Sequence, residues 1–268
     1  PLTFVWARLV RDSGSEVLPF SQLGGYLLGA RAAALAGVPG TLAAASTIVD
    51  VTLEFAAQLA YTALGLAWLV HLRPHSAAAL PITIGLAVAC CAAAAFFLVQ
   101  RHGLGQVDRL AGIIGRGWAL RSAAGAAALH AALAGLYRHR SGLGLCFLLH
   151  LGCWVASASE AWLALRLAGA PVGFGTALII ESLLYAVRAA TFFIPNAVGV
   201  QEGAYLLLGT TFGLSPEMAL ALSLLKRARD LAIGLPAIGI WQALEGGRLW
   251  RRIGGVRESA ILPLPPSE

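Results

Sequence analysis

The chain has 268 residues, of which 58% are hydrophobic and only 12% charged, with a mean hydropathy of +0.76. Soluble domains carry roughly 25% charged residues, so this composition excludes an ordinary water-soluble domain and points to a protein that crosses a membrane several times. The net charge of +6 comes without a basic stripe interleaved with aromatics, which excludes a nucleic-acid surface and makes the excess a topology signal.

The sequence opens abruptly on "PLTFVWARLV", with neither a basic leader nor a small-residue cleavage site. It is therefore not a signal peptide, and it reads as the continuation of helices that precede Pro1. Next comes "LPFSQLGGYLLGARAAALAGVPG" (18–40), where a proline and paired glycines precede a short apolar stretch. Strong apolar spans follow at 41–70, 78–99, 142–165 and 217–243. About 20 apolar residues cross a hydrocarbon core as helix, and the period-2 alternation of a membrane β-barrel is absent. The expected class is all-α, a polytopic helical bundle of the bacterial inner membrane. Cys90, Cys91, Cys146 and Cys153 lie in apolar runs without metal-ligand spacing and read as small buried hydrophobes.

Residues 101–140 hold six Arg against one Asp, and the tail carries Arg248, Arg251, Arg252 and Arg257. Both segments are expected to be cytoplasmic, against a minority of outside charges at Arg73 and Arg166. Leu104, Val107, Leu110, Ile113 and Ile114 recur at helical spacing opposite Arg101, Arg109 and Arg116. That pattern fits a helix on the inner leaflet or a soluble helical hairpin.

A crossing count constrains the rest. Span 142–165 leaves the cytoplasm and span 217–243 must return to it, so the segments between cross an even number of times or not at all. They meet at "IPNAVGVQEG", and the second has about 15 residues, or roughly 23 Å of helix, too short for a ~30 Å core. The expectation is a re-entrant hairpin broken at Pro195 and Gly199. Irregular backbone at that depth survives only when buried in protein or lining a wet cavity.

The 18–40 stretch repeats the pattern. A shift of 176 residues aligns Pro19 with Pro195, Gly37 with Gly213, Asp50 with Lys226 and Glu54 with Asp230. The first hairpin would open to the cytoplasm and the second outward. Two inverted-topology repeats with broken helices meeting near the midplane are expected, as in transporters. The boundaries read as one transmembrane domain, 1–243, with repeat one at about 1–99, the loop at 101–140 and repeat two at about 141–243; a cytoplasmic tail, 244–268, follows.

Charged residues mark the candidate site. Asp50 and Glu54, spaced i, i+4, share a helix face, and Lys226, Arg227, Arg229 and Asp230 occupy the matching place in the other repeat. Arg31, Glu181, Arg188 and Glu202 crowd the hairpins, together with Pro195, Asn196 and Gly199 of the break. Each intramembrane charge costs about 2.5–3.5 kcal/mol on insertion scales, normally offset by pairing or a wet cavity. One reading pairs the acids of one repeat with the bases of the other as a lock. The other makes all thirteen substrate-binding, with Arg and Lys beside half-helix ends attracting an anionic lipid headgroup. Glu160 and His150 read as packed polar residues inside the bundle. No nucleophile elbow, phosphate loop, HExxH or GxGxxG in strand–helix context is present, so no catalytic residue, metal or cofactor is called.

The stretches "LPFSQLGG", "GARAAALAGVPGTLAAASTIVDVTLEFAAQLAYTALG" and "RAATFFIPNAVGVQEGAYLLLGTTFGLSPEMALALSLLKRARDLAIGLPAIGIWQALEG" carry a resemblance. The chain resembles the L-type membrane proteins of hopanoid gene clusters, within the flippase-like family that includes the transmembrane domain of lysylphosphatidylglycerol synthases. The resemblance implies movement or handling of a membrane lipid, a hopanoid or a phospholipid, with a lipid exporter or biosynthetic enzymes as candidate partners. The competing readings are a membrane enzyme or enzyme subunit modifying a hopanoid or lipid-linked sugar, and a lipid-delivery scaffold. No soluble aminoacyl-transfer domain follows, so synthase activity does not carry over.

Overall fold

Alanine- and leucine-rich runs favour helix, which in the last helix continues through Pro236, and the computed structural model is built of helices. It describes residues 2–17, 21–73, 79–98, 116–170, 172–191 and 194–259. In chain order these form α1 (Leu2–Val17), α2 (Ser21–Leu35), α3 (Gly40–Leu72), α4 (Ala79–Leu98), α5 (Arg116–Arg138), α6 (Arg140–Leu167), α7 (Phe174–Ala190), α8 (Val200–Thr211) and α9 (Pro216–Ser259). A single 3₁₀ turn, Pro195–Ala197, separates α7 from α8.

α3 and α6 are each long and apolar enough to cross a membrane. The spans read at 41–70, 142–165 and 217–243 fall within helices, α4 covers 79–98 of the span read at 78–99, and α9 runs on past residue 243 to Ser259. The surface is oily, and charged and polar side chains lie among the mostly apolar buried ones: Leu80, Val88, Leu148, Leu149, Leu225 and Ile240 are exposed, whereas Arg11, Glu181, Gln201 and Lys226 are buried. Water would favour the reverse arrangement, and a hydrocarbon solvent favours this one. Cys90, Cys91 and Cys153 share the outer face, which corrects the expectation of burial. A thiol is apolar enough to face lipid.

α3 is the centre, touching α2, α4, α5, α6 and α7. Residues 116–138 of the 101–140 segment pack against the bundle. Its described part is α5, which docks Leu129, Leu133 and Leu136 against Ala45, Ile48 and Val49 of α3. The periodic stretch Leu104–Ile114 lies outside the described residues.

α1 and α2 pack along each other as one hairpin, α7 and α8 as another. Glycine sets the closeness of the first: a Cβ at Gly25 would stand 2.0 Å from Ser15 Oγ, so small residues let the two backbones approach. Each hairpin reaches its long helix through the same turn. Gly37 (φ +96°) and Gly213 (φ +87°) stand in the left-handed region. Beside them Val38 N–H donates to Ala33 O (3.2 Å) and Leu214 N–H to Gly209 O (2.9 Å), the bond of a glycine helix stop. These residues correspond at the 176-residue shift. The α6 terminus closes similarly at Gly169, so the turn gains meaning only from its place between a short hairpin and a long helix.

The break in the second hairpin falls where the sequence puts it. Asn196 (φ +49°), Ala197 (φ +45°) and Gly199 (φ +79°) leave right-handed geometry, and α8 restarts at Val200 with only 12 residues.

Candidate functional site

Two charge networks form, one in each half. In the first, Arg8 and Arg11, one turn apart on α1, face Asp50 and Glu54, one turn apart on α3. Arg8 donates to Asp50 Oδ2 (3.1 Å) and Glu54 Oε1 (3.0 Å), and Arg11 to Asp50 Oδ2 (2.5 Å) and Glu54 Oε2 (2.6 Å). Asp12 accepts from the Nε of both arginines, at 2.7 and 2.9 Å. On the far side of Asp50, His150 Nε2 lies 2.9 Å from Oδ1 and Cys146 Sγ 3.8 Å. Asp50, Cys146 and His150 thus converge at metal-ligand range, although the sequence reading saw no such grouping for Cys146. With two guanidiniums already on Asp50, the local charge disfavours a divalent cation.

In the second network, Glu181 of α7 is fully buried and pairs with Lys226 of α9. Tyr205 Oη donates to Glu181 Oε1 (2.5 Å), and Ser157 Oγ accepts from Lys226 Nζ (2.9 Å) and lies 3.2 Å from Glu181 Oε2. Four helices therefore close around one ion pair. Nearby, Glu202 Oε2 accepts from Gly199 N–H (2.8 Å) and its Oε1 from Arg227 Nε (2.9 Å). Arg227 also donates to Asn196 O (3.4 Å). Glu202 and Arg227 thus staple the broken backbone to α9. Arg229 is held by Asp230 (Nε 3.0 Å, Nη2 2.6 Å) and by Glu160 of α6.

For Asp50, Glu54, Lys226 and Arg227 these contacts overturn the expectation that acids of one repeat pair with bases of the other, although Glu16 with Arg188 and Asp50 with His150 do cross between the halves. Asp50 and Glu54 take Arg8 and Arg11, while Lys226 and Arg227 take Glu181 and Glu202. α3 packs on α7 as well as on α2, and α9 on α1 as well as on α8, so the pairing is set by which charged positions face each other and not by which hairpin lies nearer. His150 and Glu160 are hydrogen-bonded within the bundle, as read.

The two hairpins touch at their tips. Arg188 Nη2 donates to Glu16 Oε1 (3.1 Å), Arg188 Nη1 to Gln201 Oε1 (3.1 Å), and Asn196 Nδ2 to Glu16 O (2.9 Å). Around this contact opens a cavity of about 480 Å³, within the usual range of ligand sites. Of the thirteen sequence-predicted residues, Glu54, Arg188, Asn196, Arg229 and Asp230 line it. Asp50 stands behind Arg8 and Arg11, and Glu181 and Lys226 form the separate buried pair. Glu202 and Arg227 hold the break that Pro195 and Gly199 belong to. Arg31 is elsewhere, exposed and paired with Glu245 (2.9 Å).

The sequence reading missed the lining residues of α1: Arg8, Arg11, Asp12 and Glu16. The signal was present in "ARLVRDSGSE", whose charges recur at i, i+3 and i, i+4. It also missed Trp154 and Tyr185, lining rings that meet edge to face with centroids 4.5 Å apart. A further expectation, free cations inviting an anion, does not match the geometry. Arg8, Arg11 and Arg229 each direct Nε, Nη1 and Nη2 to carboxylates.

Neither curated proteins nor solved structures yielded a match to this chain. The family model described as "Lysylphosphatidylglycerol synthase TM region" matches residues 2–237. With a helical bundle, an oily exterior and buried charges already established, the chain belongs to this flippase-like, lipid-handling family of membrane proteins.

Proposed function

We propose that the protein moves a lipid between the leaflets of the bacterial inner membrane through the cavity where the two hairpins meet. The observation that carries this reading is a polar cavity of about 480 Å³ at the joined tips of two hairpins, inside a bundle whose outer face is apolar. Charged groups in hydrocarbon are tolerated where they face protein or water. A cavity ringed by them supplies a path for a headgroup while the tails stay in lipid. The hairpins act as inverted-topology re-entrant elements, with the 101–140 segment and the tail on the cytoplasmic side. Glu54, Arg188, Asn196, Arg229 and Asp230 contact the cargo, and the other predicted residues, Arg31 excepted, hold the surrounding frame. A hopanoid is one cargo to try, given the resemblance to the hopanoid-cluster proteins.

Reconstitution into vesicles with tail-labelled fluorescent lipids, read by quenching of the outer leaflet, tests transport directly. Exchange at the rate of empty vesicles for every lipid offered sinks the proposal. The topology has its own test in a background without native cysteines. Cysteines at Gly173 and Ser215 should both label from outside, and one at Gly117 only from the cytoplasm. Opposite labelling of the first two would mean a full crossing between them.

A further inference from the structure

The lining of the cavity balances guanidinium against carboxylate. Its four lining arginines are Arg8, Arg11, Arg188 and Arg229, and its four lining acids are Asp12, Glu16, Glu54 and Asp230. Two more acids, Asp50 and Glu160, bind the same guanidiniums from outside the lining, and the His150 imidazole bonds Asp50 from its far side.

Two of these groups differ from the rest. Arg188 gives one nitrogen to Glu16 and another to the neutral amide oxygen of Gln201, and among the described residues no hydrogen bond leaves its Nε. Asp230 receives both of its bonds from Arg229 on Oδ1, and among the described residues none reaches Oδ2. Both residues line the cavity. One cation with spare donor capacity and one carboxylate with a spare acceptor thus face the same space.

We infer that the cavity selects a zwitterionic phospholipid headgroup, its phosphate bound at Arg188 and its ammonium at Asp230. This rests on the transport reading above and names its substrate class. A headgroup of net negative charge could place its phosphate on Arg188 but would leave Asp230 unmatched and add an uncompensated anion among the carboxylates of the cavity. A zwitterion adds one charge-assisted bond at each end and leaves every existing pair intact. A neutral sugar headgroup disturbs no pair but leaves both spare groups unmatched.

The test uses the whole chain in vesicles with three tail-labelled lipids: a phosphatidylethanolamine, a phosphatidylglycerol and a monoglucosyl diacylglycerol. The phosphatidylethanolamine probe should exchange about tenfold faster than the other two. Asp230→Asn should erase that preference, and Asp230→Glu should restore it. Equal rates for the phosphatidylethanolamine and phosphatidylglycerol probes in the wild-type chain overturn the inference while leaving transport standing. If no probe exchanges, the transport reading falls, and lipid retention on the detergent-purified chain decides the headgroup question. Preferential retention of phosphatidylethanolamine then supports the inference, and equal retention overturns it. The same retention measurement serves if Asp230→Asn does not fold. Soluble phosphoethanolamine controls for a headgroup without tails: weak competition supports a lipid ligand, and competition as strong as the lipid's overturns it.

Discussion

The two halves solve one problem with opposite signs. In the first, the hairpin carries the cations (Arg8, Arg11) and the long helix the acids (Asp50, Glu54). In the second, the hairpin carries the acids (Glu181, Glu202) and the long helix the cations (Lys226, Arg227). These charges are paired within each half, while Glu16 with Arg188 and Asp50 with His150 pair across. Their degree of burial also differs: the Glu181 and Lys226 side chains are 0% and 5% exposed, those of Asp50 and Glu54 33% and 22%. The second pair is a sealed lock, and the first network opens onto the cavity. The difference teaches that two similar units, each a short hairpin on a long helix, can separate a structural role from a site-forming one.

The strongest way to break the comparison is to strand one member of the sealed pair. Glu181→Gln should destabilise the protein by about 3–5 kcal/mol, the usual result of leaving a buried charge uncompensated, seen as lost monodisperse protein or a lowered Tm in detergent. Combining it with Lys226→Met should recover most of the loss. An equal deficit in the double variant would show that the pair is not the lock.

The open network should tolerate the same treatment better. Asp50→Asn leaves Arg8 and Arg11 on Glu54 and Asp12, so the expected cost is about 1.5–3 kcal/mol, that of a hydrogen bond to a charged group. Exchanging Asp50→Lys with Lys226→Asp should rescue nothing, because those residues do not pair. Rescue by that exchange would mean the halves neutralise each other after all.

Gly199→Ala places a side chain at φ +79°, where L-residues are strained, although nothing lies within 4 Å of the added Cβ. A cost of about 1–3 kcal/mol is expected from the backbone alone. The prediction is a lowered Tm with Glu202 and Arg227 still capping α8. An unchanged Tm would show that the break is not held in this conformation.

The smallest effect on stability should come from the tie between halves. Glu16→Gln weakens its ion pair with Arg188 but keeps the Asn196 contact to its backbone carbonyl, so a loss of about 1 kcal/mol or less is expected for a partly exposed pair. Transport should change more than Tm does. If Tm falls as far as in Glu181→Gln, the tips are part of the lock.

Much of the architecture was legible because the membrane makes length and composition decisive. A helix must bond its own backbone and span a set thickness, so the spanning length of α3 and α6 followed from counting, as did the shortness of α8, read as about 15 residues and found to be 12. The break between α7 and α8 was legible because Pro195 lacks an amide hydrogen and Gly199 tolerates φ of +79°. The turn at Gly37 and Gly213 was legible as a 176-residue echo for the same reason. These are local properties of the chain, determined within a few residues of each site.

The partner of each charge was a tertiary decision. A guanidinium is chemically suited to any carboxylate, so nothing in Asp50 or Lys226 names its mate. Where α1 lies decided it, because Arg8 and Arg11 reach Asp50 and Glu54 across 39 or more positions of sequence. The same holds for the cavity, whose lining joins residues from α1, α3, α6, α7 and α9 that share no local pattern. Coulombic attraction depends on distance in space and carries no sequence period, so the sequence determined which elements exist and the packing determined which charges meet.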